Sequence, residues 1–175
     1  MVTRNTKPVL VIGATGYVGG RLVTKLLEEG YRVRAMARSM AKLVNRPWAS
    51  HTNLEVVEGD VQDVDALKRA TAGCWAAFYL VHSMTSASKN FVEADRKSAQ
   101  NMVTAAAETG LERIIYLGGL GRTTDPSLST HLRSRHEVAR ILQSGPVPTT
   151  LLRAAMILGS GSASFERSSP RTEKM

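Results

Sequence analysis

The stretch "VLVIGATGYVGGRLV", Val9 to Val23, decides the fold. Val9–Ile12 is a short apolar run that reads as a buried strand. Glycines follow at 13, 16 and 19, and apolar residues at Val18, Leu22, Val23, Leu26 and Leu27 then recur at helical spacing. Each glycine has a physical task. Gly13 permits the tight turn out of the strand, Gly16 lets a diphosphate approach the backbone, and Gly19 lets the helix pack close to the strand. The helix start offers free N–H groups and the positive end of its dipole to an anion. With Thr15, Tyr17 and Val18 between them, these glycines form a candidate cofactor-binding loop. A glycine trio alone is a weak signal, but here it stands between a strand and a helix, the context the motif requires.

Outward from this loop, strand-like and helix-like segments alternate. The spacing predicts a helix over Tyr17–Glu29 with Gly30 as its C-cap, and strands over Arg32–Ala37 and Leu54–Val57. A short helix over Val64–Ala72, ended by Gly73, and a strand over Ala76–Val81 come next. Then follow a long alanine-rich helix over Ala87–Thr109, a strand over Glu112–Leu117, a helix over His131–Gln143 and a last strand over Thr149–Arg153. This rhythm predicts an α/β domain, a doubly wound parallel sheet with helices on both faces. Arg34, in the middle of the second strand, reads as a solvated residue, Tyr116 as core, and His136 and Glu137 as helix surface.

Composition narrows the function classes. The single cysteine, Cys74, excludes an internal disulfide and fits a reducing, cytoplasmic setting. No apolar run reaches the roughly 18 residues of a membrane span. The formal net charge of +8 invites a nucleic-acid reading, but the basic residues are scattered and only 5% of residues are aromatic. A solvated basic surface with one anion site is the better fit.

The glycine spacing is GxxGxxG, and "VIGATGYVGGRLVTKLLEEGYRVRAMAR" resembles the extended and atypical short-chain dehydrogenase/reductase (SDR) superfamily, most of all its NmrA-like NAD(P)-binding branch. "VEGDV" (Val57–Val61) resembles the third-strand motif, "GLERIIYLGGLG" the fifth-strand region, and "LLRAAMILGSG" the stretch after the sixth strand. The resemblance runs from about Val9 to Gly161 and implies a Rossmann-type fold. It places Asp60 and Val61 beside the adenine, with helix capping as a compatible second role for Asp60. Val81, His82 and Ser83 fall at the end of the fourth strand, where the resemblance implies the ribose and nicotinamide half of the cofactor. A polar residue at a strand end, such as His82, needs no chemistry to explain it.

In NAD-specific sheets an acid ends the second strand and takes the ribose hydroxyls. Here Ala37 holds that position and Arg38 follows, and a guanidinium can hold a 2′-phosphate in bidentate fashion, which favours NADP over NAD. Catalytic members of the superfamily carry a Ser after the fifth strand and Tyr-x-x-x-Lys on the next helix. In this chain Gly118 and Gly119 occupy the Ser position, and "HLRSR" puts His131 for the Tyr and Arg135 for the Lys. His131 is a candidate proton shuttle and Arg135 a candidate holder of ribose or phosphate oxygens. Two readings follow: an NAD(P)-dependent oxidoreductase acting on an unidentified small molecule, or a non-catalytic NADP(H)-sensing regulator with a protein partner.

After Leu158 the chain turns polar. The expected division is a dinucleotide-binding domain over residues 1–161 and a loose tail over 162–175. Superfamily members continue into a small substrate lobe, so a truncated chain is the expectation, with a natural minimal domain as the alternative. A missing lobe would bare apolar sheet surface, a candidate homodimer contact.

Overall fold

The computed structural model describes residues 6–82, 91–121, 127–155, 157 and 159. Six strands, β1 (Val9–Ile12), β2 (Val33–Ala37), β3 (Leu54–Glu58), β4 (Ala76–Tyr79), β5 (Arg113–Gly119) and β6 (Thr149–Ala154), form one sheet. Every pairing is parallel and the order is β3-β2-β1-β4-β5-β6. The helices are α1 (Tyr17–Glu28), α2 (Ala41–Val44), α3 (Val64–Thr71), α4 (Phe91–Thr109) and α5 (Thr130–Ser144). This is the doubly wound α/β sheet that the alternating pattern predicts. Element ends differ from the expected ones by a few residues, and α2 is an addition that four residues of sequence could not signal.

Alternating side chains feed two cores. Leu10 and Ile12 of β1 point into one with Leu67, Met102, Ile114 and Leu142 from α3, α4, β5 and α5. Val11 points into the other with Val23, Leu27, Leu43 and Trp48 from α1, α2 and the segment after it. A strand buried on both faces reads as a continuous apolar run, which is why "VLVI" carries no alternation. Helix ends are set by local chemistry. Gly30, Gly73 and Gly110 take left-handed backbone after α1, α3 and α4. Asp63, not Asp60, caps α3, accepting from the Asp65 and Ala66 amides.

Arg34 is a correction. Its side chain is only 13% exposed and pairs with Glu55 at 2.8 Å. Its guanidinium donates to the carbonyls of Ala70 and Ala72 at 2.8 and 2.7 Å, closing the C-terminal end of α3. A strand residue thus satisfies carbonyls that a helix end leaves open. Arg34→Ala is expected to lower stability by about 1–3 kcal/mol, because charge-assisted hydrogen bonds are lost and the Ala70 carbonyl is left part-buried without this donor. Urea unfolding of the two proteins measures this. His136 is a second correction: it is 8% exposed, packed near Gly121 and Leu128 rather than on the helix surface.

Candidate functional site

The strand order reverses between β1 and β4, the point where doubly wound sheets bind ligands at their carboxyl edge. A cleft of about 630 Å³ lies there. It brings together Gly13, Thr15 and Gly16 from the loop after β1, Arg38 after β2, Asp60 and Val61 after β3, and Val81 and His82 after β4. Tyr17 lies round the other side of the loop, in a smaller hollow with Arg21 and Arg46. Val18 and Gly19 lie within α1 and do not line the cleft. Ser83 lies outside the described residues.

The glycine loop is built for close approach. Gly13 has φ +91°, and a Cβ on Gly16 would meet the Gly13 carbonyl oxygen at 3.2 Å. A Cβ on Gly19 would come within 2.8 Å of the Gly13 carbonyl carbon and 3.0 Å of the Ala14 Cα. The N-cap of α1 is Gly16, with no side-chain cap and no acidic residue in the first turn. Backbone donors at that helix start are therefore left to a ligand anion. The cradle fits a dinucleotide diphosphate on steric and electrostatic grounds.

The two ends of the cleft differ. At one end stand exposed Arg38 and half-buried Asp60, whose Oδ1 accepts from the Gln62 amide at 2.9 Å. Gln62 in turn donates to the Ala94 carbonyl at 2.8 Å and to the Ser98 hydroxyl, tying this loop to α4. At the other end stand His82 and Asp95. Asp95, 6% exposed, accepts a 2.9 Å hydrogen bond from Ser134, which is 2% exposed. Sequence reasoning missed Asp95 and Ser134, and their only signal is that each lies on the inner face of its helix.

His131 and Arg135 do not line the cleft; they stand on α5 behind His82. The His131 ring meets the His82 ring edge to face, centroids 5.8 Å apart. Arg135 donates to the Leu117 carbonyl of β5, and its backbone carbonyl accepts from the Tyr116 hydroxyl at 3.3 Å. Burial, and then the Arg135 guanidinium, lower the pKa of His82 to about 4 and move that of His131 below the usual histidine range. Asp95 opposes the shift at both. Burial, with Arg135 opposing, pushes the Tyr116 phenol up to about 12. At the expected serine position, a Cβ on Gly119 would strike Leu132 of α5 at 2.6 Å, and one on Gly118 would meet Leu151 at 3.0 Å.

Burial and nearby arginines also lower the pKa of His136. In the unfolded chain all three histidines protonate near pH 6.5. The folded state resists these protons, so its stability falls as pH drops below about 6.5 towards the folded pKa values. The thermal midpoint is expected to be lower at pH 5 than at pH 7.5, and His136→Leu is expected to flatten that dependence, both read by calorimetry.

A family model described as NAD(P)H-binding matches residues 13–172. The chain belongs to the NAD(P)H-binding family. It is similar to cinnamoyl-CoA reductase 1 of Arabidopsis thaliana, 32% identical over 125 residues, covering 66% of this chain and 35% of that protein. It is also similar to the 3 beta-hydroxysteroid dehydrogenase/Delta 5-->4-isomerase of Mycobacterium tuberculosis, 32% identical over 117 residues, covering 62% of this chain and 30% of the other. The chain thus spans about a third of the length of the curated relatives it matches. Among solved structures, the Citrobacter sp. triphenylmethane reductase complexed with NADP(H) superposes with TM-score 0.71 at 22% identity, over 85% of this chain and 50% of that one. The Bordetella bronchiseptica enzyme WbmH in complex with NAD+ superposes with TM-score 0.73 at 19% identity, over 91% and 60%. The SDR resemblance of the sequence and this NAD(P)H-binding membership agree. No described helix is long and apolar enough to cross a membrane.

Proposed function

We propose that this NAD(P)H-binding domain takes NADP(H) in preference to NAD(H) and belongs to an oxidoreductase. One observation carries the reading: a single cleft joins the glycine cradle to Arg38 at the end of β2, where Ala37 stands in place of a ribose-binding acid. The amides of residues 13–19 hold the diphosphate, Arg38 meets the 2′-phosphate, and Asp60 and Val61 border the adenine. Val81 and His82 border the other half. Bound there, the dinucleotide supplies or accepts a hydride. His131 is the proton-carrying group of α5, and Arg135, behind the cleft, acts on the two histidines through its charge.

Calorimetric titration with NADPH and NADH tests the cofactor reading. NADPH is expected to bind at least about tenfold more tightly, the effect of one charge-assisted contact. Binding of neither cofactor overturns it.

A second reading, an NADP(H)-sensing regulator with a protein partner, draws on Gly118 and Gly119, which leave no hydroxyl beside the substrate position. Oxidation of NADPH by a carbonyl or quinone, lost in His131→Ala, would exclude it.

A further inference from the structure

We propose that His82 is the catalytic proton donor and acceptor for a carbonyl substrate, that His131 relays its proton to solvent, and that buried Asp95, held by Ser134, positions the pair. The proposal rests on the NADP(H) reading above and assigns that site its substrate class. It moves the proton donor from α5, where His131 holds the tyrosine position, to His82 after β4.

Topology puts the reacting half of the cofactor here. The Arg38 and Asp60 end lies over β2 and β3, and a dinucleotide crossing the switch point carries its other half over β4 and β5. His82 lines the cleft immediately after β4. The two imidazoles stand edge to face with centroids 5.8 Å apart, which makes them neighbours across which a proton can pass, directly or through a water. His131 is half-buried, and its helix carries Ser134 and Arg135 one turn on, on the same side.

The charged and titratable groups facing the pair come from every neighbouring described element. Asp95 comes from α4, Arg135 from α5 and Tyr116 from β5. Arg135 and burial favour neutral imidazoles, while Asp95 favours the protonated form. Asp95 and His82 line the same cleft, and the Asp95 carboxylate, fixed by the Ser134 hydroxyl, stabilises the imidazolium that forms there during turnover.

The step balances. In reduction, a reduced nicotinamide provides the hydride to the carbonyl carbon. The carbonyl π pair becomes the new O–H bond with the proton of the His82 imidazolium, whose N–H bond breaks to leave neutral imidazole. His131 then passes a proton from water to His82. Oxidation of the alcohol runs the same transfers in reverse, with neutral His82 as the base.

The test has two arms. In the first, the imidazole signals of the cofactor-free chain are titrated by NMR. His131→Gln is expected to raise the pKa of His82, and Asp95→Asn to lower both histidines. A His82 titration unmoved by either substitution overturns the dyad whether or not NADPH binds, and the same spectra establish that the variants fold. In the second, the chain with NADPH is assayed against 9,10-phenanthrenequinone, benzaldehyde and cyclohexanone. His82→Gln is expected to cut kcat by about 100-fold or more, with NADPH affinity held within about threefold. The rate is expected to rise as pH falls from about 8 to about 5, and Asp95→Asn to move that limb to lower pH. NADPH that binds but is oxidised by none of the three, or a rate unchanged in His82→Gln, overturns the catalytic assignment. Failure of NADPH to bind overturns the cofactor reading instead.

Discussion

Gly19→Ala is expected to abolish NADPH binding into the millimolar range while leaving a folded protein. The added methyl would overlap the backbone of Gly13 and Ala14. Those atoms belong to the turn itself, with Gly13 already at φ +91°, so no flexible side chain can yield. The helix must move outward by a few tenths of an ångström or more, carrying its amides away from the diphosphate position. Overpacking of this kind costs about 1–3 kcal/mol of stability. The loss of binding is larger, because an anion held by several backbone donors depends on all of them pointing to one place. Calorimetry with NADPH, together with a thermal melt, separates the two effects. Tight binding by Gly19→Ala would mean that the diphosphate does not use this turn.

Arg38→Ala is expected to weaken NADPH binding about 10- to 150-fold, the equivalent of roughly 1.5–3 kcal/mol for a charge-assisted contact, with NADH affinity unchanged. Arg38 is exposed at the cleft rim directly after buried Ala37, so its removal unpacks nothing. Two other guanidiniums stand at this loop: Arg46 donates to the Thr15 carbonyl and braces the backbone, and Arg21 lies over the Tyr17 ring, round the other side. Arg38→Asp is expected to go further and favour NADH, since an acid there can accept from ribose hydroxyls and repels a phosphate. Equal loss for both cofactors in Arg38→Ala would remove the discrimination from this residue.

The fold was legible because its signals are local. The apolar run at Val9–Ile12, the glycine spacing and the helical periodicity after it each depend on neighbours in sequence. What escaped depends on neighbours in space. Arg34 sits mid-strand and looks solvated until α3 brings its open carbonyls within reach. The sequence offered Asp60 as a cap, and the turn geometry gives α3 to Asp63 instead. His136 reads as surface by polarity, yet α5 turns it inward towards Gly121. The candidate site divides in the same way. The residues of the glycine loop and the strand ends were named from the chain, and the cleft gathers most of them. Asp95 and Ser134 lie 39 positions apart, and nothing in either helix alone announces their bond.

The tight seat of Leu132 over Gly119, described above as a packing detail, bears on any attempt at redesign. The obstacle is the methyl end of a half-buried leucine, so a serine at position 119 asks Leu132 to change rotamer and leaves the backbone of α5 where it is. Because α5 also carries positions 131 and 135, an engineer seeking a serine–tyrosine–lysine set in this scaffold would begin by trimming Leu132, so that the serine enters without disturbing the helix that holds the other two positions.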